Sequence, residues 1–337
     1  MGKQGQVFNI VVPGWVRLAL LIGIPLLAAA LVFMFRSPVL VVSDIAFDGI
    51  YGEMRIRVKQ AESSLRLWRP VRRVRIAEDA GEDVAVFAVA SAAEKPFCVL
   101  FPYRYYNEAK RYAGEFPKIS VVTFQGRFRD LSMPHTEETA NLFFIGTDSA
   151  LDFYRAGQCA AVFARPAPQT KVSPEAGTEG ENAGESPSPA ENEPGEIFLL
   201  QDELVSDGDR GAFSRGLEDR DYGRPPVYQN VGGAFSPRAN TACVVISGAA
   251  QSFFEQSLDI PVLLFSWLDP ALTPARIKLI FDDSPWALAV PAVKIIGRKG
   301  YTSDIKEIPS EIRVLSRRIN EKDRLGDIKR AIRSRRP

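Results

Sequence analysis

The sequence predicts an α/β protein with mostly parallel sheet, preceded by one membrane-spanning helix. Three observations carry that prediction: an uncharged apolar run near the N-terminus, a series of short continuous apolar runs after it, and amphipathic segments of helical period between those runs. Continuous apolar strands belong to sheets covered on both faces, and regular strand–helix alternation is the pattern of βαβ units.

The first element is the run Leu18 to Phe35, bounded by Arg17 and Arg36. As a helix it reaches roughly 27 Å, close to the ~30 Å of a bilayer's hydrocarbon core. Trp15 stands at one end, where an interfacial aromatic is expected. Ala28, Ala29 and Ala30 offer a cleavage region, but the chain stays apolar through Phe35, where a signal peptide turns polar. No cysteine follows at once, so a lipoprotein signal is excluded. An uncleaved anchor is therefore expected over 18–35, behind a short N-terminal tail at 1–17.

From Val39 the βα rhythm begins. Val39 to Ser43 is the first strand; Ile50, Met54, Val58, Ala61, Leu65 and Trp68 then recur at helical spacing. Further strands are expected at Val71–Ile76, Phe97–Phe101, Ile119–Phe124 and Leu142–Ile145. Helices are expected at Asp83–Ala93, Tyr106–Phe116 and Leu151–Phe163. Pro166 to Gly195 breaks the pattern: rich in Pro, Glu, Gly and Ser, it lacks the apolar side chains to offset chain ordering and reads as a disordered acidic insertion. The rhythm resumes with strands at Ile197–Leu200, Cys243–Ile246, Pro261–Phe265 and Ile277–Phe281, and helices at Arg210–Asp219, Ala249–Leu258 and Trp286–Ile296. Residues 301–337 read as a basic C-terminal tail suited to anionic lipid or an acidic partner.

Composition narrows the function. Forty-two Lys and Arg against 41 Asp and Glu leave no global field to recruit nucleic acid. The three cysteines, Cys98, Cys159 and Cys243, have neither CxxC spacing nor a histidine neighbour, and Cys98 and Cys243 sit in strands as core thiols. The single histidine, His135, lies in a polar loop. There is no GxSxG, Walker loop or GxGxxG after the first strand, and the neighbouring acids Asp282 and Asp283 point to opposite sides of a strand. No enzyme activity, metal site or cofactor is expected.

Four patterns in order then resemble the type 1 periplasmic binding protein-like family, the fold of ribose-type sugar receptors and of LacI-type effector domains. They are Val121-Val122-Thr123-Phe124-Gln125-Gly126-Arg127; Gly146-Thr147-Asp148 followed by Arg155 to Ala161; Asp209 to Leu217, similar to R-x-x-G-F-x-x-x-L; and Asp259 to Phe265 with Ile277 to Asp282 after it. The resemblance spans about residues 38–300. It implies two Rossmann-like lobes with parallel sheets, with 38–148 and 277–300 as lobe 1 and 149–276 as lobe 2. Two features depart from the family: Ser247-Gly248-Ala249 replaces its Asn-Asp turn, and a membrane helix stands where a helix-turn-helix would mark a repressor.

In such sheets ligands meet the carboxyl ends of strands. Those ends supply Asp44, Phe47, Tyr103, Arg104, Arg127 and Asp148 on the first lobe, and Ser247, Trp267 and Asp269 on the second, with Asp282 on a strand expected to return to the first. Charged groups that hydrogen-bond hydroxyls beside an aromatic face suit a sugar-like ligand. For Asp44, Asp148 and Asp282 the competing role is helix capping. The resemblance implies a cell-membrane solute-binding protein, its body extracytoplasmic, serving a transporter or sensor. The alternative is a scaffold or interaction protein on the same fold without a ligand.

Overall fold

The structure, a computed structural model, describes residues 13–77, 81–125, 140–165, 194–231, 235–248, 259–269, 271, 273–297, 306–319 and 322–334. Arg127, His135, the expected helix at 249–258 and nearly all of the acidic stretch at 166–195 lie outside the described residues.

No residue of the run Leu18–Phe35 in helix α1 (Gly14–Phe35) is buried, and the helix is long and apolar enough to cross a membrane. Its end meets the body: the Phe33 and Trp68 rings lie edge to face at 5.6 Å, and Arg36 donates to the Trp68 carbonyl at 3.2 Å.

The body contains two sheets of parallel strands. The first is built from β1 (Val39–Asp44), β2 (Val71–Ile76), β3 (Cys98–Pro102), β4 (Ser120–Gln125), β5 (Leu142–Thr147) and β11 (Lys306–Ile308), in the spatial order β11-β5-β4-β3-β1-β2. The second contains β6 (Glu196–Gln201), β7 (Val227–Asn230), β8 (Thr241–Ser247), β9 (Val262–Phe265), β10 (Ile277–Asp282) and β12 (Glu311–Val314), in the order β12-β10-β9-β8-β6-β7. Only β12 runs antiparallel to its neighbour. Alternate residues of each strand face opposite layers. Val39 and Val41 pack with Ile56 and Trp286 on one face of the first sheet, whereas Leu40 and Val42 pack with Val89 and Tyr112 on the other. That double burial explains why the strands read as unbroken apolar runs.

Helices α2 (Ile45–Tyr51), α3 (Glu53–Leu67), α4 (Glu82–Ala92) and α5 (Tyr106–Glu115) serve the first sheet; α6 (Ser149–Ala164) and α7 (Asp207–Glu218) serve the second. At Gly157 and Gly216 the α6 and α7 backbones touch, so a Cβ at either glycine would run into a carbonyl of the facing helix. The expected helix over 50–68 breaks at Gly52, whose φ of 91° suits glycine. Its apolar stripe also faces the opposite way from a core stripe. Met54, Val58 and Leu65 are exposed, and Ile56 and Ser63 are the buried residues of α3.

Two sequence expectations are corrected. The strand at 277–282 does not return to the first lobe; β10 pairs with β9 in the second sheet, where both its faces are buried, and the chain crosses through α8 (Pro285–Ile296), which packs on the first sheet. The expected basic tail is built into both lobes: β11 joins β5, β12 joins β10, and α9 (Lys322–Arg333) packs on α6 with Ile328 and Ala331 fully buried. Those few apolar residues, masked among arginines in the sequence, dock it.

Candidate functional site

Sheet order reverses between β1 and β3, because the chain leaves β1 for β2 on one side and then places β3 on the other. Such a switch point leaves a crevice outside the strand ends. Here it is a cavity of about 300 Å³, lined by Asp44, Ala46, Phe47, Ile50, Pro102, Tyr103, Arg104, Phe124, Trp267, Asp283, Ser284 and Pro285. That volume sits at the small end of the roughly 300–1,000 Å³ of small-molecule sites.

Asp44 is the last residue of β1 and is fully buried. Its carboxylate accepts from the Phe47 N–H at 2.7 Å, which caps α2, and from the Tyr105 hydroxyl at 3.2 Å; Arg104 forms an ion pair with it at 3.1 Å. Burial, then the neighbouring Asp44, pushes the Tyr105 phenol up to about 12, so it stays a donor at neutral pH. Arg104 is nearly half exposed and lines the cavity. The cavity also has an aromatic wall: Phe47 stacks on Tyr51 at 5.3 Å and tilts against Trp267 at 5.8 Å. The lining therefore combines charge-assisted hydrogen-bonding groups with ring faces.

The structure brings Asp44, Phe47, Tyr103, Arg104 and Trp267 together and leaves the other described residues elsewhere. Asp148 caps α6 through the Leu151 N–H at 3.1 Å and is tied to β11 by its own N–H to the Ile308 carbonyl at 2.8 Å. Ser247 is buried at the end of β8, beside Gly248, whose φ of 116° turns the chain against Asp202. Asp269 holds the lobe junction: its N–H donates to the Ile50 carbonyl at 3.1 Å, and its side chain packs against Gly52.

Asp282 forms a second polar centre behind the cavity. It is fully buried at the end of β10 and pairs with Arg55 of α3. The Tyr51 hydroxyl donates to it at 3.2 Å and the Ser284 N–H at 3.0 Å, and the Arg313 Nε lies 3.6 Å away. Arg55 also reaches the Trp267 and Leu268 carbonyls, both at 3.3 Å, and lies 3.9 Å above the Tyr51 ring. Desolvation pulls the Arg313 guanidinium down to about 10 against the pull of Asp282. Burial, reinforced by Asp282, raises the Tyr51 phenol far above its ordinary value. With the Lys59–Glu311 pair alongside, this cluster fastens α3 of the first lobe to the second.

Sequence reasoning passed over Arg55, Tyr51 and Arg313, since nothing in a local window marks an arginine as turned inward. It also missed Pro102, Phe124, Ser284 and Pro285, the apolar and small parts of the cavity wall. Among the described residues no group of three or more His, Cys, Asp or Glu side chains is placed to hold a metal ion. All three cysteines are buried and free, with Cys159 raised by desolvation to about 12.

No protein-family model matches the chain, and no curated protein sequence does. Solved structures do. A solute-binding protein of an ABC transporter system from Conexibacter woesei aligns at a TM-score of 0.53 and 11% identity, over 89% of this chain and 98% of that one. A transcriptional activator of the comK gene from Bacillus halodurans aligns at 0.51 and 11% identity, over 88% and 96%. At this identity the likeness is one of fold, the type 1 periplasmic binding protein-like fold.

Proposed function

We propose, for a chain with the type 1 periplasmic binding protein-like fold, that it is a membrane-anchored solute-binding protein whose cavity at the β1–β3 switch point takes a sugar or similar small polar ligand. The observation that carries this is the joint placement of Asp44, Arg104 and Tyr103 with Phe47 and Trp267 around one cavity at strand carboxyl ends. Arg104 and Asp44 would bond ring hydroxyls, and Trp267 and Phe47 would cover the C–H face. Helix α1 holds the body at the membrane, on the extracytoplasmic side, where a transporter or sensor would receive the ligand. In this reading the chain is a binding protein and not an enzyme.

Thermal unfolding against a panel of sugars, nucleosides and amino acids tests it. A true ligand at ~100 times its dissociation constant adds about 2.7 kcal/mol, and Arg104→Ala or Trp267→Ala removes that gain. One observation favours a second reading, a scaffold without a ligand: the Asp282 cluster fastens the lobes through the protein's own side chains. A panel without a single shift supports the scaffold. Protease treatment of spheroplasts tests the placement; a body cut only after lysis rejects the extracytoplasmic side.

A further inference from the structure

Helix α3 presents an apolar stripe to solvent on the face opposite its core contacts. Met54, Val58, Leu65 and Trp68 are 72%, 58%, 70% and 43% exposed, with exposed Ala61 between them. Their spacing is four, three, four, three, the a/d repeat of a two-stranded coiled coil. Ile56 and Ser63, seven residues apart on the opposite side of the helix, are the ones buried against the body. A solvent-facing helix side normally carries polar residues, so an ordered apolar seam marks an interaction surface.

We infer that this α3 seam is the contact surface for a second copy of the same chain, forming a parallel, two-fold dimer beside the membrane. The inference rests on the membrane-anchor reading for its geometry. Two features specify the occupant. The first is charge. Arg57 and Glu62 flank the seam at the g and following e positions, with side chains 70% and 42% exposed and each in an exposed same-helix pair, Arg57 with Glu53 and Glu62 with Arg66. In a parallel pair, Arg57 of each copy meets Glu62 of the other, so the identical face is its own electrostatic complement. The second is continuity. The seam ends at Trp68, which caps α3 in a left-handed conformation, φ 52°, and packs on Phe33 of α1. Two anchors crossing one membrane in the same sense relate the copies by an axis along its normal, which puts the identical seams at the same height and permits an isologous pairing. A seam of two heptads is too short to hold in bulk solution, but confinement by α1 raises the effective concentration of its partner. A lipid surface suits the seam less well: its flanks alternate Glu53, Arg57, Glu62 and Arg66, whereas helices lying on bilayers carry basic flanks.

Cysteine cross-linking of the full-length chain in membranes tests the proposal, because the three native cysteines are buried and do not compete. Val58→Cys and Leu65→Cys should each give a disulfide-linked dimer under mild oxidation, and Ser91→Cys on exposed α4 should not. In nanodiscs, Leu65→Glu should weaken the dimer by roughly tenfold or more with an unchanged melting midpoint. Glu62→Arg should weaken it, and the Arg57→Glu, Glu62→Arg double variant should restore it. Absence of cross-links at both seam positions, or quenching by brominated lipid of fluorescent labels attached at Val58→Cys and at Leu65→Cys in a monomeric chain, overturns the proposal. Carbonate extraction keeps the two readings apart. A chain that stays in the membrane without cross-linking loses the dimer and keeps the anchor; a chain that washes off yet cross-links at Val58 and Leu65 keeps the seam and loses the anchor.

Discussion

Asp44 and Asp282 are both fully buried carboxylates at the last position of a parallel strand, yet they have different surroundings. Asp44 has an outlet. One of its partners, Arg104, is half in water, and a cavity opens beside them. Asp282 has none: Arg55, Arg313 and Tyr51 surround it, and both arginine side chains are only 11% exposed. The strand end at a switch point keeps a cavity beside it, while a strand end facing another lobe is filled by that lobe's side chains. Burial of a carboxylate alone does not distinguish a binding group from a fastening.

The largest expected effect comes from breaking the fastening. Asp282→Ala leaves two desolvated guanidinium groups without their shared carboxylate, and removing one partner of a buried ion pair costs about 3–5 kcal/mol. Urea unfolding checks it; a loss under about 1 kcal/mol would mean that the Trp267 and Leu268 carbonyls suffice to hold the arginines. Asp44→Ala should cost less, about 1–3 kcal/mol, from the lost α2 cap and the stranded Tyr105 hydroxyl, because Arg104 turns into water. If the two losses are equal, the contrast between the sites fails.

The α/β class was legible because double-sided burial leaves unbroken apolar strands, and the strand-end rule picked Asp44, Tyr103 and Arg104, which line one cavity, because each ends its strand or lies within two residues of its end. What was hidden depends on pairing. Nothing within Ile277 to Asp282 says which sheet it joins, so Asp282 was assigned to the wrong side of the molecule. The period of Met54, Val58, Ala61 and Leu65 correctly announced a helix, but period alone does not say which face is inward. Ile56 and Ser63 face the core with one apolar residue between them, a weaker pattern than the seam on the outside. In the same way, Ile328 and Ala331 dock α9 from within a stretch whose charges dominate its composition.

Arg104→Ala sharpens the comparison from the other side. Arg104 itself is nearly half exposed and Asp44 keeps its bonds from the Phe47 N–H and the Tyr105 hydroxyl, so stability should change by about 1 kcal/mol or less, while any ligand-induced rise in melting temperature should vanish. A large stability loss would make Arg104 a fastening like Arg55.

The smallest effect belongs to a carboxylate in water, Glu53. Hydrogen bonds from Arg73 at 2.6 and 2.8 Å hold its carboxyl down to about 2, with Arg57 and Arg75 assisting and desolvation opposing. A carboxylate with a depressed folded-state pKa adds stability above its unfolded value, near 4.5, and that stability is lost as pH falls through the window from about 4.5 to about 2. Solvent screening keeps the effect small. Urea midpoints measured at pH 6 and pH 3 should fall further for the wild type than for Glu53→Gln. Parallel profiles would mean that an ion pair this exposed contributes nothing, whatever its geometry.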